Sequence, residues 1–442
     1  MNIKTEFLLP AMLLFSTNSQ AFDWLFQPDF DANERYTDNL RMQINPSRDN
    51  FITTLSPSLL AGFVDSNQDL RTSFRWNEII YHDDPDMDDF GEKIADFSHQ
   101  FSGENFKTEL KAQYAEQSSL NTQLEQDGSG NLQTQVPRFT ISVSPAVTYN
   151  FTEKYALRMA YDYLNVSFDK DPDSIQDNFG FSDYENQQIS ATAIHYYSDR
   201  LSFNLTGAYS KFDSPTDIAH NQLLYISTPF GLLPVEISSD TQYKQTSENI
   251  TYQAGFQYLF DEQTQIAATA GMRDTKTTTD IHQSVVYSPE IPALNFISNS
   301  GNFSDTSNGS GYVFSANLIR QENWGSMTFN ADQQVTPASN GNQQQSLRFS
   351  GNLKYNLSDR WVTSLDASYQ ETNNSVTDNN TINNRTYTTF TPNLGWRWTP
   401  EINLNLSYSY RHQQFDNLDE PQIGNNVMFQ FSYQPQINRL VK

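Results

Sequence analysis

Histidines, acidic runs and regularly placed cations are the residues with which this sequence could do chemistry. Its six histidines are His82, His99, His195, His220, His282 and His412. No two are spaced like metal ligands, and none stands beside a serine in a nucleophile context, so neither a metal centre nor a general base with its nucleophile is drawn. Asp83, Asp84, Asp86, Asp88 and Asp89 form one acidic run, and Asp169, Asp171, Asp173 and Asp177 form another. Carboxylate oxygens suit hard divalent cations. The second run opens like a calcium loop but has Ser174 where the sharp turn needs glycine and Gly180 where a bidentate glutamate belongs. Both read as solvated acidic loops whose role is cation-bridged contact with an anionic lipopolysaccharide surface. No metal and no cofactor is expected.

The cations carry more information. Arg158, Arg348, Lys354, Arg397 and Arg411, with Lys107 and Lys111, all occupy the polar phase of an alternating pattern. Two readings stand. They line a watery passage that favours anionic solutes such as acidic saccharides, or they pair with Asp162, Asp366 and Glu109 on neighbouring segments. Arg348, Arg397 and Arg411 fall near one another in the order of segments, at different heights, as a vertical track.

What must position these cations is a set of β-strands. Ile402, Leu404, Leu406, Tyr408 and Tyr410 alternate with Asn403, Asn405, Ser407, Ser409 and Arg411. The same period of two runs through 346–357, 201–210, 139–149, 250–260 and 427–433, where a helix would show intervals of three and four. At Tyr163-Leu164 the apolar phase passes from Leu157, Met159 and Tyr161 to Val166 and Phe168, which reads as a bulge. Strand ends are aromatic, and polar turns follow them: Thr152-Glu153-Lys154, Ser198-Asp199-Arg200, Asp261-Glu262-Gln263, Ser358-Asp359-Arg360 and Thr399-Pro400-Glu401. Long connections alternate with the short ones, at 120–132, 170–183, 214–244, 280–309, 337–343, 372–384 and 417–424. A soluble sandwich has no use for aromatic girdles at strand ends, whereas a membrane barrel does. The fold class is therefore all-β: a transmembrane antiparallel up-and-down barrel of 16 to 18 strands, 18 favoured, with short periplasmic turns and long extracellular loops.

The rest of the sequence agrees. Lys4, an apolar run from Phe7 to Phe15 and Ser19-Gln20-Ala21 make residues 1–21 a secretory signal peptide. Residues 22–33 are expected as a short periplasmic segment and 34–442 as the barrel, whose least regular strands are the first and 90–101. The 442 residues include 31 Phe, 23 Tyr and 6 Trp but no cysteine, which excludes disulfides and thiolate metal sites. A mean hydropathy of -0.64 excludes a helical membrane protein, whereas a barrel reconciles it with the aromatic content by facing alternate residues to water. The formal net charge of -25 makes nucleic acid an unsuitable partner.

Arg35-Tyr36-Thr37-Asp38-Asn39-Leu40 followed by Phe51-Ile52-Thr53-Thr54-Leu55-Ser56-Pro57 resembles the opening of a β-barrel porin family associated with exopolysaccharide and exosortase loci. The hairpin around Tyr355-Asn356-Leu357-Ser358-Asp359-Arg360-Trp361 and the last unit, from Trp398-Thr399-Pro400 to Asn425-Asn426-Val427, are similar to its repeats. The resemblance covers most of the chain on degenerate motifs. It implies an outer-membrane barrel often encoded beside polysaccharide genes, with no catalytic residues to carry over. One departure is that residues 434–442 follow Phe431 and Tyr433, so the barrel-assembly machinery would read an internal signal.

Three functions compete, in this order: a porin-like channel for small or saccharide solutes, a structural or assembly component of an exopolysaccharide export system, and a barrel enzyme. The channel leads because 16 to 18 strands enclose water unless something plugs them. Ile226, Pro229, Phe230 and Leu232, in the apolar part of 214–244, are the candidate constriction loop. The expected partners are outer-membrane lipid, lipopolysaccharide, the barrel-assembly machinery and polysaccharide export components.

Overall fold

A computed structural model describes residues 23–441, apart from 47, 83, 85–86, 125–127, 131, 133–134, 171–180, 229–230, 290–297, 374–383 and 436–439; at 217–238, 285–299 and 440–441 it describes the backbone alone. The expected signal peptide lies outside these residues. The strands are β1 (Asp23–Thr37), β2 (Asn50–Val64), β3 (Gln68–Tyr81), β4 (Phe90–Ser102), β5 (Phe106–Ser118), β6 (Pro137–Thr152), β7 (Tyr155–Phe168), β8 (Tyr184–Ser198) and β9 (Leu201–Thr228). They continue with β10 (Gly231–Leu259), β11 (Thr264–Pro289), β12 (Ser298–Glu322), β13 (Gly325–Pro337), β14 (Gln343–Asn356), β15 (Trp361–Asn373), β16 (Arg385–Arg397), β17 (Ile402–Phe415) and β18 (Gln422–Tyr433). A two-residue strand, β19 (Leu440–Val441), and one helical turn, α1 (Ser119–Thr122), complete the elements.

Each strand pairs antiparallel with its neighbour in sequence, and β1 pairs with both β2 and β18, so the sheet closes into an 18-stranded barrel. Closure of β1 on β18 lets the strands satisfy one another's backbone groups from within the sheet, the condition for crossing a bilayer in strands. The outward phase is apolar: Phe26 and Phe30 on β1, Tyr252 and Phe256 on β10, Leu406 and Tyr408 on β17, and Val427 and Phe429 on β18 are all exposed. Toward the long-loop end the outward phase turns polar. Lys93 pairs with Glu116 at 2.8 Å, Tyr209 donates to Glu248 and Trp76 to Glu78. An apolar belt bounded by such groups belongs in the outer membrane, where this chain resides.

The short turns share one device. Thr152, Ser198, Asp261, Ser358 and Thr399 each accept bonds from the backbone N–H groups two and three residues on, as Asx and Ser/Thr turns do. At Asp261 the N–H groups of Gln263 and Thr264 hold the carboxyl below its ordinary range.

Four expectations need correction. Residues 23–33 are no separate segment: Trp24, Phe26 and Phe30 continue the outward alternation, and the first strand runs from Asp23 to Thr37. Pro28 fits because it lies where β1 has lost β18, whose pairing stops at Phe30. The bulge expected at Tyr163-Leu164 is absent, since the β6–β7 register is unbroken there and shifts instead between Asn150 and Thr152. Val166 and Phe168 keep the inward phase and are buried inside the barrel. Residues 214–244 are not a loop but the arms of a hairpin paired from Leu201 and Tyr258 to Thr228 and Gly231. Much of 280–309 is likewise strand, with β11 and β12 paired out to Val286 and Ser298.

Strands β9 to β12, at 28, 29, 26 and 25 residues, are about twice as long as their neighbours and rise beyond the rest of the wall as a four-stranded blade. Above Asp213 the β9 strand pairs only with β10, and above Phe314 the β12 strand pairs only with β11. The extension of β9 measures roughly 50 Å along the strand at about 3.3 Å per residue.

Candidate functional site

The lumen is built from the inward phase, and its two ends differ. At the short-turn end a cavity of about 500 Å³ is lined by Arg75, Asp29, Asp31, Arg397 and Lys354 together with Ser, Asn and Gln side chains. Arg75 lies on β3, the aspartates on β1, Arg397 on β16 and Lys354 on β14, so around the wall the carboxylates stand between cations. Asp29 accepts from Gln27 and Asp31 from Gln430, each at 3.3 Å. Among the described residues none of the three cations forms an ion pair. Asn352, Ser364, Asn393, Asn403, Asn405 and Ser432 add neutral donors and acceptors, with Tyr433 at the rim. Such a surface can hold an oxyanion and hydrogen-bond hydroxyl groups beside it.

The long-loop end is filled. Inward Ile52, Ile79 and Tyr81 of β2 and β3 and Tyr387 of β16 pack with Leu40, Met42, Met87, Leu120 and Leu132 from three inward-folded loops. A second cluster joins Val136, Val166, Phe168, Phe181, Tyr184 and Phe212. The connection between β5 and β6 reaches across the lumen, its Gln123 and Gly130 meeting residues of β16, β17 and the β13–β14 connection. Its base is held by Glu92, whose buried carboxylate accepts from Asn77, Ser118 N–H and Asn121. Its far side is held by Gln123. The Gln123 side-chain oxygen accepts from the Ser129 N–H and hydroxyl and from the Ser339 hydroxyl on the β13–β14 connection. The Gln123 carbonyl accepts from Arg385 at 3.1 Å, and the Gly130 carbonyl from Gln413 at 3.3 Å. Gly130 has φ +77°, and a Cβ there would run into the Arg385 guanidinium, so the close approach requires glycine.

The cations read from the sequence therefore fall into distinct settings. Lys354 and Arg397 share the inner cavity. Arg158 is ion-paired with Glu109, which also holds Lys107 at 2.7 Å, so here the cross-strand pairing reading applies. Arg348 faces the row opposite Asp332. Arg411, 8% exposed, donates to Thr37, the Asn39 carbonyl and Asn426. It does not share a site with Arg397, because eight residues of β17 separate its row from the Asn403 row opposite Arg397, about 26 Å along the strand. Of the candidate constriction residues, Ile226 and Leu232 lie in paired hairpin arms, and Pro229 and Phe230 lie outside the described residues. The arms of that hairpin continue the wall; among the described residues, those that fold inward include Leu40, Met42, Met87, Leu120 and Leu132.

Arg75 and Arg385 were not singled out from the sequence. Arg385 shares the odd phase of Arg397, which would have revealed it, but Tyr387 on the same phase breaks the aromatic-outward rule. Of the histidines, His195 stacks on Tyr155 with ring centroids 4.8 Å apart, and His82 bonds the Thr53 hydroxyl. Among the described residues no cluster of three or more His, Asp or Glu is placed to hold a metal. Most of the 169–177 acidic run lies outside them, while Asp84 pairs with Arg41 at 3.5 Å.

No family model matches the chain, and no curated protein matches it. Solved structures that resemble it include the siderophore receptor PirA from Acinetobacter baumannii, with TM-score 0.44, 8% identity and coverage of 93% of this chain and 80% of that one. The ferric yersiniabactin uptake receptor FyuA from Yersinia pestis has TM-score 0.41 and 11% identity, and the match spans 92% of this chain and 66% of the receptor. The outer membrane protein opdK from Pseudomonas aeruginosa has TM-score 0.37 and 9% identity, with coverage of 93% and 99%.

Proposed function

We propose that the barrel is a porin-like passage for small anionic solutes, acidic saccharides being the class that best suits its lining. The observation that carries this is the inner cavity, where Arg75, Lys354 and Arg397 have no ion-pair partner among the described residues and stand among amides and hydroxyls. Charged groups on a water-filled wall act on permeating ions through their field. Asp29 and Asp31 lie between the cations, which favours a solute that presents both a carboxylate and hydroxyl donors. In this reading lipid and lipopolysaccharide surround the belt, and the chain reaches the membrane through the barrel-assembly machinery. The alternative role in exopolysaccharide export draws its support from the sequence resemblance alone.

The test is planar-bilayer conductance across a salt gradient. The triple variant Arg75→Gln, Lys354→Gln, Arg397→Gln should fold, as heat-modifiable gel mobility reports, and should lose anion preference, moving the reversal potential toward zero. An unchanged reversal potential in the folded variant would overturn the reading.

A further inference from the structure

We propose that the inward face of β8 to β13 is a hydroxyl-reading wall, and that the passage selects hydroxylated monoanions of the uronate kind by holding their carboxylate at Lys354 and their hydroxyl groups on this wall. The inference rests on the reading of the lumen as a passage for anions and names the solutes within that class.

Charge is spread unevenly around the short-turn half of the barrel. From β14 through β18 and β1 to β7 the inward phase carries Lys354, Arg397, Asp29, Asp31, Arg75 and Arg158. The same half of β8 to β13 consists of 188–198, 201–210, 251–259, 264–271, 315–322 and 325–330, and its inward phase has no Asp, Glu, Lys or Arg. Arg320 and Glu322 fall in these segments, but they share the outward phase of Leu318 and pair there with each other. Amides and hydroxyls stand inward instead, aligned in rows. Thr192 lies opposite Thr206 and Thr206 opposite Gln253, while Asn317 lies opposite Asn330. The Thr192 and Thr206 hydroxyls bond at 2.9 Å, as do those of Thr269 and Ser315, and Asn317 donates to Asn330, which donates to Ser350 at 3.4 Å. Two glycines let amides lie close against the wall: a Cβ at Gly271 would come within 2.8 Å of Gln253 Cγ, and one at Gly255 within 2.8 Å of Asn204 Oδ1. The polar groups are thus positioned before a solute arrives.

A cation stands at each margin of this neutral wall, Arg158 opposite Thr192 and Lys354 opposite Ser326. Arg158 is paired with Glu109, whereas Lys354 forms no ion pair among the described residues, so the Lys354 margin receives the carboxylate. A sugar hydroxyl donates and accepts, and so does a primary amide, so a sugar ring crossing the wall exchanges bonds to water for bonds to amides at little net cost. A ring of similar size and equal charge without hydroxyl groups displaces the same water and returns no bond. Sites built to bond hydroxyl groups reject such analogues for this reason.

The test compares two monoanions built on six-membered rings, glucuronate and cyclohexanecarboxylate. Their permeabilities relative to chloride are read from bi-ionic reversal potentials of the folded full-length barrel in planar bilayers at mildly alkaline pH. Glucuronate should pass about threefold or more as readily as cyclohexanecarboxylate, and the double variant Gln253→Met, Asn317→Leu should bring that ratio close to unity. A wild-type ratio near unity, or a ratio that the folded double variant leaves unchanged, would overturn the hydroxyl-reading wall while the anion passage stands. Should the double variant fail to fold, the wild-type ratio and Gln253→Met alone decide. Absence of conductance, or an anion preference that survives replacement of Arg75, Lys354 and Arg397 by Gln, would remove the passage reading and this inference with it.

Discussion

The two halves of the lumen share one wall and differ in what fills it. Toward the short turns the inward phase carries amides and cations that form no ion pair among the described residues, around a cavity; toward the long loops the same phase carries Ile52, Ile79, Val166, Phe168 and Phe212, packed against inward-folded connections. A period of two separates inside from outside. Whether the inside is wet depends on whether a loop covers it.

The sharpest way to break this contrast is to place one new carboxylate in each half. Ile52→Asp leaves a charge among apolar neighbours at a site with no exposure and should lower stability to urea unfolding in detergent by about 3–5 kcal/mol. Ser364→Asp, in the inner cavity, should change it by less than about 0.5 kcal/mol. Equal losses would mean the two halves are equally hydrated. Replacing 121–130 with a short Gly-Ser turn removes the tie to Arg385 and the support under Leu120 and Leu132. It should cost about 2–4 kcal/mol and raise single-channel conductance, whereas shortening the β9–β10 hairpin should leave conductance as it was. The reverse pattern would restore the hairpin as the constriction. The smallest effect is expected at Arg158→Gln, because its pair with Glu109 is open to water; exposed pairs contribute no more than about 1 kcal/mol, and the urea midpoint should barely move.

The fold was legible because each outward strand face has to satisfy lipid independently. Leu406, Tyr408, Phe429 and Phe349 declare their side by chemistry alone, and the short turns by a side chain that closes them. The first strand was misplaced because Pro28 reads as a break, while Leu25 on the inward phase and Glu34 on the outward phase interrupt an otherwise regular alternation. The site was only half legible. Parity gave Lys354 and Arg397 their inward phase, but it cannot distinguish a free cation from Arg158, whose partner comes from β5. It failed at Val166 and Phe168 because it assumes that apolar means outward, which does not hold beneath a packed loop. The lengths of β9 to β12 were hidden because polar Ser, Thr and Asn outside the belt pattern like loop residues.

Those protruding strands leave the molecule with two lateral margins that pair with no further strand among the described residues, on β9 from Ser214 to Thr228 and on β12 from Ser298 to Val313. An unsatisfied row of N–H and C=O groups is a template for another chain, and barrels crowded in one membrane would bring such rows face to face. The composition of the margins opposes that outcome. Pro215 removes a donor on one, and Gly301, Gly309 and Gly311, with Asp305 among serines and asparagines, weaken strand pairing on the other. Neighbouring copies can therefore stand shoulder to shoulder without being stitched into a continuous sheet.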